Sequence, residues 1–115
     1  MGQYIFKTNE KIKLEEMSNI RPDKTGLKMV IWIFPYTGKE SHWARIKVAK
    51  HYGNKVSSDL FTITIENEPE VIGDTGDIKP SDVVKVIDFV KRNKKVLMQV
   101  WKDEIDAIDA VKKFK

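Results

Sequence analysis

Hydrophobic and polar positions alternate in the first half of the chain and change to a helical period from Pro80 onward. The segment 27–34 is apolar on both faces and predicts a central strand. The segment 41–50 alternates and predicts a second strand, and 60–66 alternates in the same way and predicts a third. Because the connections between these segments are short, we expect an antiparallel meander.

The two faces of the predicted strands differ in polarity, because successive side chains point to opposite sides of a sheet. The inward residues of the strand at 41–50 are His42, Ala44, Ile46 and Val48. Its outward residues are Trp43, Arg45 and Lys47. The inward residues of the strand at 60–66 are Phe61, Ile63 and Ile65, and its outward residues are Thr62, Thr64 and Glu66.

The residues from Pro80 onward predict helices. Pro80 suits a first helical position, and Asp82 in the first turn complements the helix dipole. An apolar stripe follows at helical spacing: Val83, Val86, Ile87, Val90, Leu97, Val100, Trp101, Ile105 and Ile108. Asn93 marks a bend or a cap, so the pattern fits either one kinked helix or two consecutive helices.

Strands followed by helices predict an α+β fold, with C-terminal helices packed on one face of a three- to four-stranded antiparallel sheet. The fourth strand is the short segment Val71–Ile72. The segment 8–18 predicts a short helix, with strand pairing as the alternative, and 21–26 predicts a loop. At 115 residues, we expect a single domain over 1–115.

The composition excludes several classes of protein. The absence of cysteine excludes disulfides, thiol nucleophiles and cysteine-based metal sites. The longest apolar stretch, 29–36, is far shorter than the roughly 20 residues of a membrane helix. The first residues lack the pattern of a secretory signal. We therefore expect a cytoplasmic protein without membrane association.

The net charge of +4 is unevenly distributed. Between 39 and 55 the only acid is Glu40, and the bases are Lys39, Arg45, Lys47, Lys50 and Lys55. Between 66 and 77 there are five acids and no base. A basic patch can be the footprint of nucleic acid. The alternative is a solvated surface on which opposite charges neutralise each other across the fold.

One constellation combines aromatic and basic side chains. Trp43, Arg45 and Lys47 share the outward face of a strand, and further candidates flank them: His42, Lys50, His51, Tyr52 and Lys55. Proteins bind single-stranded nucleic acid by stacking bases on aromatic rings and neutralising phosphates with cations. An indole packed under an arginine guanidinium is the structural alternative. The other two tryptophans, Trp32 and Trp101, are predicted core residues.

Signatures of catalysis and metal binding do not occur in the sequence. His42 and His51 have no carboxylate pattern around them, and the acids of 66–77 do not match a calcium loop. Neither a nucleophile elbow nor a Gly-rich phosphate loop is present. We therefore predict no metal, no cofactor and no catalytic residue.

A series of short motifs runs through about residues 20–110. The motifs are Thr25-Gly26-Leu27, Ile31-Trp32-Ile33, His42 with Arg45-Ile46-Lys47-Val48, and Phe89-Val90 with Asn93, Leu97 and Trp101. This series resembles a small bacterial protein family without a known activity. The chain departs from that family at Phe89-Val90, Val100 and Lys102-Asp103, where the family has Trp-Ile, Tyr and a Gly. The resemblance supports the fold and draws attention to Arg45, Lys47, Asn93 and Trp101.

These patterns favour a non-enzymatic binding module that uses its basic strand face, with nucleic acid or a nucleic-acid-bound protein as the partner. The alternative is a protein-interaction or homodimerising domain, in which the acidic loop and the helical C-terminus, with Asn93 and Trp101, meet a partner protein or a second copy. A small hydrolase is the third hypothesis, and it lacks a recognisable nucleophile and base.

Overall fold

The computed structural model describes residues 18–36, 38, 43–56 and 58–115. Within these ranges, five strands form one antiparallel sheet in chain order, namely β1 (Ser18–Ile20), β2 (Ile31–Ile33), β3 (Arg45–Ala49), β4 (Leu60–Thr64) and β5 (Val71–Ile72). Four helices accompany them: α1 (Pro22–Thr25), α2 (Pro80–Arg92), α3 (Lys94–Trp101) and α4 (Ala107–Lys113). The predicted α+β class is confirmed. The predicted number of three to four strands is wrong, because the described sheet has five.

The additional strand is β1, which pairs with β2 in the register Ser18↔Ile33 and Ile20↔Ile31. Three residues are too few for an alternating pattern to be recognised. The loop predicted at 21–26 is also wrong, because α1 occupies most of it. Pro22 begins this helical turn, and Gly26 ends it with a φ of 82°. The helix predicted at 8–18 lies outside the described residues, except for Ser18, which begins β1.

One face of the sheet forms the core, as predicted for β3 and β4. Ala44, Ile46 and Val48 are fully buried, and so are Phe61, Ile63 and Ile65. The register places Ile46 opposite Ile63 and Val48 opposite Phe61, so the apolar side chains form continuous rows across the strands. His42, predicted to share this face, lies outside the described residues.

The other face of the sheet is more buried than the sequence predicts. Thr62 and Thr64 are only 5% and 4% exposed, although the alternation assigned them to a solvated face. The Thr64 hydroxyl donates to Glu66 Oε2 at 2.6 Å and accepts the Glu70 N–H at 2.8 Å. Because both hydrogen bonds are made within the protein, Thr64 is buried without an unsatisfied hydroxyl.

The region after Pro80 contains two consecutive long helices, which is one of the two arrangements that the pattern allowed. Asn93 separates α2 from α3. Buried side chains of the apolar stripe join the same core as the sheet: Val83, Val86, Val90, Leu97, Val100 and Trp101. Ile108 departs from this stripe, because it is 70% exposed.

Aromatic contacts connect α3 to the segment that follows β2. The Trp101 ring lies 5.8 Å from the Phe34 ring and 5.4 Å from the Tyr36 ring, measured between centroids. The Tyr36 N–H donates to the Trp101 carbonyl oxygen at 2.7 Å. Trp32 and Trp101 are 6% and 8% exposed, which confirms their prediction as core residues. None of the helices in the described ranges is long and apolar enough to cross a membrane.

Candidate nucleic-acid interface

The register of β3 divides the predicted aromatic and basic constellation into two parts. Arg45 and Lys47 share one face of the strand, opposite Thr64 and Thr62 of β4. Trp43 precedes the strand, and its indole N–H donates to the Ile65 carbonyl oxygen at 2.9 Å. This hydrogen bond holds the indole beside the end of β4, outside the paired residues of β3 that include Arg45 and Lys47.

Trp43 lines an open cleft of about 590 Å³ between the end of β4 and helix α3. We call it the Trp43 cleft. Its other lining residues are Ile65, Glu66, Asn67, Glu68, Lys94, Met98 and Lys102. Trp43 is 61% exposed there, in contrast to the other two tryptophans. A large exposed aromatic side chain thus lies at a concave position, which is where small ligands bind.

Helix α3 provides the basic wall of the Trp43 cleft. Lys94, Met98 and Lys102 follow one another at intervals of four residues, so they lie on one side of the helix and its C-cap. The Lys94 ammonium donates to Asn67 Oδ1 at 2.8 Å, which ties this wall to the loop after β4. Glu66 and Glu68 on the opposite wall carry negative charge, so the cleft has one basic and one acidic side.

Arg45 of the sheet-face pair, Arg45 and Lys47, contacts the backbone of Trp43, which lines the cleft. Arg45 Nε donates to the Trp43 carbonyl oxygen at 3.2 Å, and Lys47 Nζ donates to Thr62 Oγ1 at 2.8 Å. Burial lowers the pKa of the half-buried Lys47 amine, and the positive charge of Arg45 lowers it further. Among the described acidic residues, none lies within 4.0 Å of either cation.

Lys50 and His51, two further candidates, lie against acidic residues from elsewhere in the chain. Lys50 Nζ lies 3.6 Å from Asp59 Oδ1. His51 Nδ1 and Nε2 lie 2.8 Å from Asp77 Oδ2 and 3.2 Å from Asp59 Oδ2. In this part of the 39–55 segment, basic side chains are therefore paired with acidic ones across the fold, which is the alternative interpretation of the basic patch. The described residues contain no group of acids and histidines suited to hold a metal ion.

Tyr52 connects the β3–β4 turn to the beginning of α2. Its hydroxyl donates to Asp82 Oδ2 at 2.6 Å and accepts the Lys79 N–H at 2.9 Å. The hydrogen bond between Tyr52 and Asp82 is the main reason why the pKa of Tyr52 is raised and the pKa of Asp82 is lowered. The charge of Lys28, whose Nζ lies 3.6 Å from Asp82 Oδ1, lowers the Asp82 pKa further. Lys55, the last candidate of this turn, is exposed. Tyr52 thus stabilises the contact between this turn and the beginning of α2.

The predicted interface residues Asn93 and Trp101 are buried, at 1% and 8% exposure. The structure instead brings Lys94, Met98 and Lys102 to Trp43, and the sequence did not single these residues out. Their four-residue spacing is readable in the sequence, but their proximity to Trp43 depends on how α3 packs.

Comparison with known proteins gives no further assignment. No family model matches the chain, and no curated protein or solved structure matches it. The resemblance to a small bacterial family therefore stays a prediction.

Proposed function

We propose that this protein is a non-enzymatic module that binds single-stranded nucleic acid through the Trp43 cleft and the adjoining sheet-face pair. The supporting observation is that the indole of Trp43, 61% exposed, lines the same cleft as Lys94 and Lys102. Stacking of one base on an aromatic side chain contributes about 1–3 kcal/mol. Cations beside the ring add phosphate neutralisation, which makes the affinity depend on salt.

The geometry of the Trp43 cleft indicates how a single-stranded nucleic acid would lie in it. The hydrogen bond from the indole to the Ile65 carbonyl oxygen orients the ring before binding, which lowers the entropic cost of association. Phosphates would follow the lysines of α3, because Glu66 and Glu68 repel them from the opposite wall. Arg45, which is hydrogen-bonded to the Trp43 carbonyl oxygen, is the next cation that the phosphates would meet, and Lys47 follows it.

The proposal also includes where the protein acts and how its C-terminal helices pack. We place this activity in the cytoplasm. We also propose that the C-terminal helices cover the apolar face of the sheet, since buried residues of α2 and α3 belong to the same core cluster as β3 and β4. The basic wall of the Trp43 cleft would then be carried by an element packed on the core and held rigidly.

Titration with short oligonucleotides at low salt tests the function. Binding of a single strand should quench tryptophan emission, because Trp43 is exposed whereas Trp32 and Trp101 are buried. The affinity should fall as salt is raised, and single strands should bind more tightly than duplexes of the same sequence. An absence of binding to any oligonucleotide at low salt would reject the proposal.

Substitutions in the Trp43 cleft test whether it is the binding site. With a labelled single strand and anisotropy detection, Trp43→Ala should weaken binding at least about fivefold, because it removes a stacking surface. Lys94→Gln and Lys102→Gln should each reduce the salt slope by about 0.7, the value for one phosphate contact to a single strand. Lys91→Gln, at an exposed position of α2, is the matched control and should bind like the wild type. If Trp43→Ala also binds like the wild type, the cleft is not the site.

A protein-interaction or homodimerising domain is the second candidate. It is favoured by Ile108, which is 70% exposed beside a groove of about 380 Å³ between β1 and α4. Exposed apolar residues at a groove are typical of interaction sites. Sedimentation at several protein concentrations distinguishes the candidates: a concentration-dependent dimer that Ile108→Asp abolishes supports a homodimer, and a strict monomer rejects it.

A further inference from the structure

The acidic wall of the Trp43 cleft contains a carboxyl group in a fixed position. Glu66 Oε2 accepts the Thr64 hydroxyl at 2.6 Å, and Thr64 is buried and accepts the Glu70 N–H at 2.8 Å. The carboxyl group of the half-buried Glu66 is therefore held against the end of β4. Among the described cations, none lies within 4.0 Å of it. A positioned carboxylate without a counter-ion is a ready acceptor for the hydrogen bonds of a ligand in the cleft.

Backbone hydrogen bonds bring Glu66 next to Trp43. The Ile65 N–H donates to the Ala44 carbonyl oxygen at 2.9 Å, so the pairing of the two chain segments continues by one residue beyond the ends of β3 and β4. The next residues outward are Trp43 and Glu66, and both line the cleft. The indole N–H donates to the Ile65 carbonyl oxygen, which belongs to the peptide group preceding Glu66. The cleft thus combines an exposed aromatic ring and a fixed carboxyl group from adjacent positions.

The four bases differ in what they offer to a carboxylate beside a stacking surface. Guanine has two adjacent donors on its Watson–Crick edge, N1–H and N2–H₂, which match the two oxygens of a carboxylate. In adenine and cytosine, the amino group lies beside a ring nitrogen that is an acceptor and repels a carboxylate. The single N3–H of thymine or uracil lies between two carbonyl oxygens. Proteins recognise unstacked bases at this edge while stacking them on aromatic rings.

We propose that the Trp43 cleft selects guanine within a single strand. The base stacks on the Trp43 indole and donates its N1–H and N2–H₂ to the Glu66 carboxylate. Both oxygens can take part, because a carboxylate has about four acceptor sites and the Thr64 hydroxyl occupies one of them. This inference rests on the proposed function and adds the base that the same site recognises. The acidic wall then binds the base, while the basic wall binds phosphates.

The spacing of the two cleft lysines favours a strand over a free nucleotide. Lys94 begins α3 and Lys102 is its C-cap, so they are about 12 Å apart along the helix. A mononucleotide has phosphate on one side of its base only, and it would reach one of these lysines. A strand has phosphates on both sides of each base and can contact both. Guanosine monophosphate should therefore bind more weakly than a strand that contains guanine.

Strands that differ in one base test the proposal on the wild-type protein. Labelled thymine strands carry guanine, adenine or hypoxanthine at one central position, and anisotropy at low salt gives their affinities. Guanine should bind at least about fivefold more tightly than adenine, which is the discrimination expected of one bidentate pair. Hypoxanthine keeps the N1–H but lacks the 2-amino group, so it should also bind more weakly than guanine. Guanosine monophosphate should displace the guanine strand only at higher concentration than the unlabelled strand does.

The variant Glu66→Gln tests the assigned carboxyl group. Its amide has one oxygen acceptor in place of two, so the guanine strand should lose its advantage over the adenine strand. The amide oxygen can still accept the Thr64 hydroxyl, and circular dichroism compares the fold with that of the wild type. Glu70→Gln is the matched control, because Glu70 is exposed, does not line the cleft and carries the same charge. This control should keep the preference for guanine.

The outcomes separate this inference from the proposed function. If strands bind but guanine, adenine and hypoxanthine give equal affinities, the selection of guanine is overturned and the proposed function stands. A guanine preference that persists in Glu66→Gln, or that disappears equally in Glu70→Gln, overturns the assignment to Glu66. Competition by guanosine monophosphate at the concentration of the unlabelled strand overturns the assignment to a strand. Absence of binding to every strand overturns both the inference and the proposed function.

Discussion

Asn93 shows how one buried side chain connects distant parts of the chain. Its Nδ2 donates to the Phe89 carbonyl oxygen at 3.0 Å, and its Oδ1 accepts the Lys115 N–H at 2.8 Å. The same Nδ2 lies 3.4 Å from the Lys115 carbonyl oxygen. The Phe89 and Phe114 rings, 5.0 Å apart, pack beside this junction. An amide can both donate and accept here, which a carboxylate cannot do.

Replacement of Asn93 by alanine should therefore be costly. Asn93→Ala removes the hydrogen bonds that the buried amide makes with the Phe89 carbonyl oxygen and the Lys115 N–H, and it should lower the free energy of unfolding by about 2 kcal/mol. Urea unfolding measures the effect. Asn54→Ala, at an exposed turn position, is the control and should change stability by less than about 0.5 kcal/mol. Equal effects of the two substitutions would show that the Asn93 hydrogen bonds do not stabilise the fold.

At the scale of elements, the loop after β5 packs tightly against the end of β3. Gly76 has a φ of 62°, and a Cβ at this position would lie 2.6 Å from Lys50 Cβ and 2.9 Å from the Lys50 carbonyl oxygen. The Asp77 N–H donates to the same carbonyl oxygen at 2.9 Å. The hydrogen bond from His51 to Asp77 reinforces this contact. Only glycine fits here without displacing the backbone.

Two glycine substitutions separate backbone conformation from close packing. Gly53 has a φ of 87° with no atom within 4 Å of a Cβ, so Gly53→Ala should lose only the conformational preference, about 1–2 kcal/mol. Gly76→Ala should lose clearly more, because the loop must also move away from Lys50. Thermal unfolding of both variants gives the comparison. Equal losses would mean that the loop can move without cost.

The periodic elements were predictable from the sequence, and the reason is physical. Burial of one face imposes a period on β3, β4 and α2, so the pattern reports their existence and their inward residues. The burial of Thr62 and Thr64 was not predictable, because what lies over that face is decided by tertiary packing. The short elements β1 and α1 contain too few residues to show any period.

At the scale of the whole molecule, the Tyr52–Asp82 hydrogen bond connects the sheet to the helices. Asp82, in the first turn of α2, is 5% exposed and lies near Lys28 and Lys85 as well as the Tyr52 hydroxyl. The bond needs an ionised Asp82 and a protonated Tyr52. The stability that it gives should therefore depend on pH at both ends of the range.

The pH dependence can be measured as the difference in urea midpoint between the wild type and Tyr52→Phe. Because the Asp82 pKa is lowered on folding, the stabilisation should be complete above the unfolded value of about 4 and disappear as pH falls through the folded pKa. Because the Tyr52 pKa is raised, it should be complete below about 10 and disappear as pH rises through the folded pKa. A difference that does not vary with pH would contradict this account.

The candidate site was only partly predictable at this scale. The alternation at 41–50 correctly placed Arg45 and Lys47 on one face. It did not predict that Trp43 would turn toward α3, because the alternation holds only within the strand. The lysines at 94 and 102 are about 50 and 60 residues away from Trp43 in sequence, and only packing of α3 brings them to the indole.

β5 is an outer strand of the sheet formed by the described residues, and its shortness has a consequence for solubility. An outer strand presents unpaired backbone groups, and a long apolar one recruits other chains into intermolecular cross-β aggregates. Val71 and Ile72 are 37% and 42% exposed, so their side chains alone would favour such recruitment. The strand has two residues, is followed by Gly73, which has a φ of 99°, and comes after the acidic residues Glu68 and Glu70. These residues should disfavour pairing with another chain, because a strand that joined this edge would lie beside negative charge and could form few backbone hydrogen bonds.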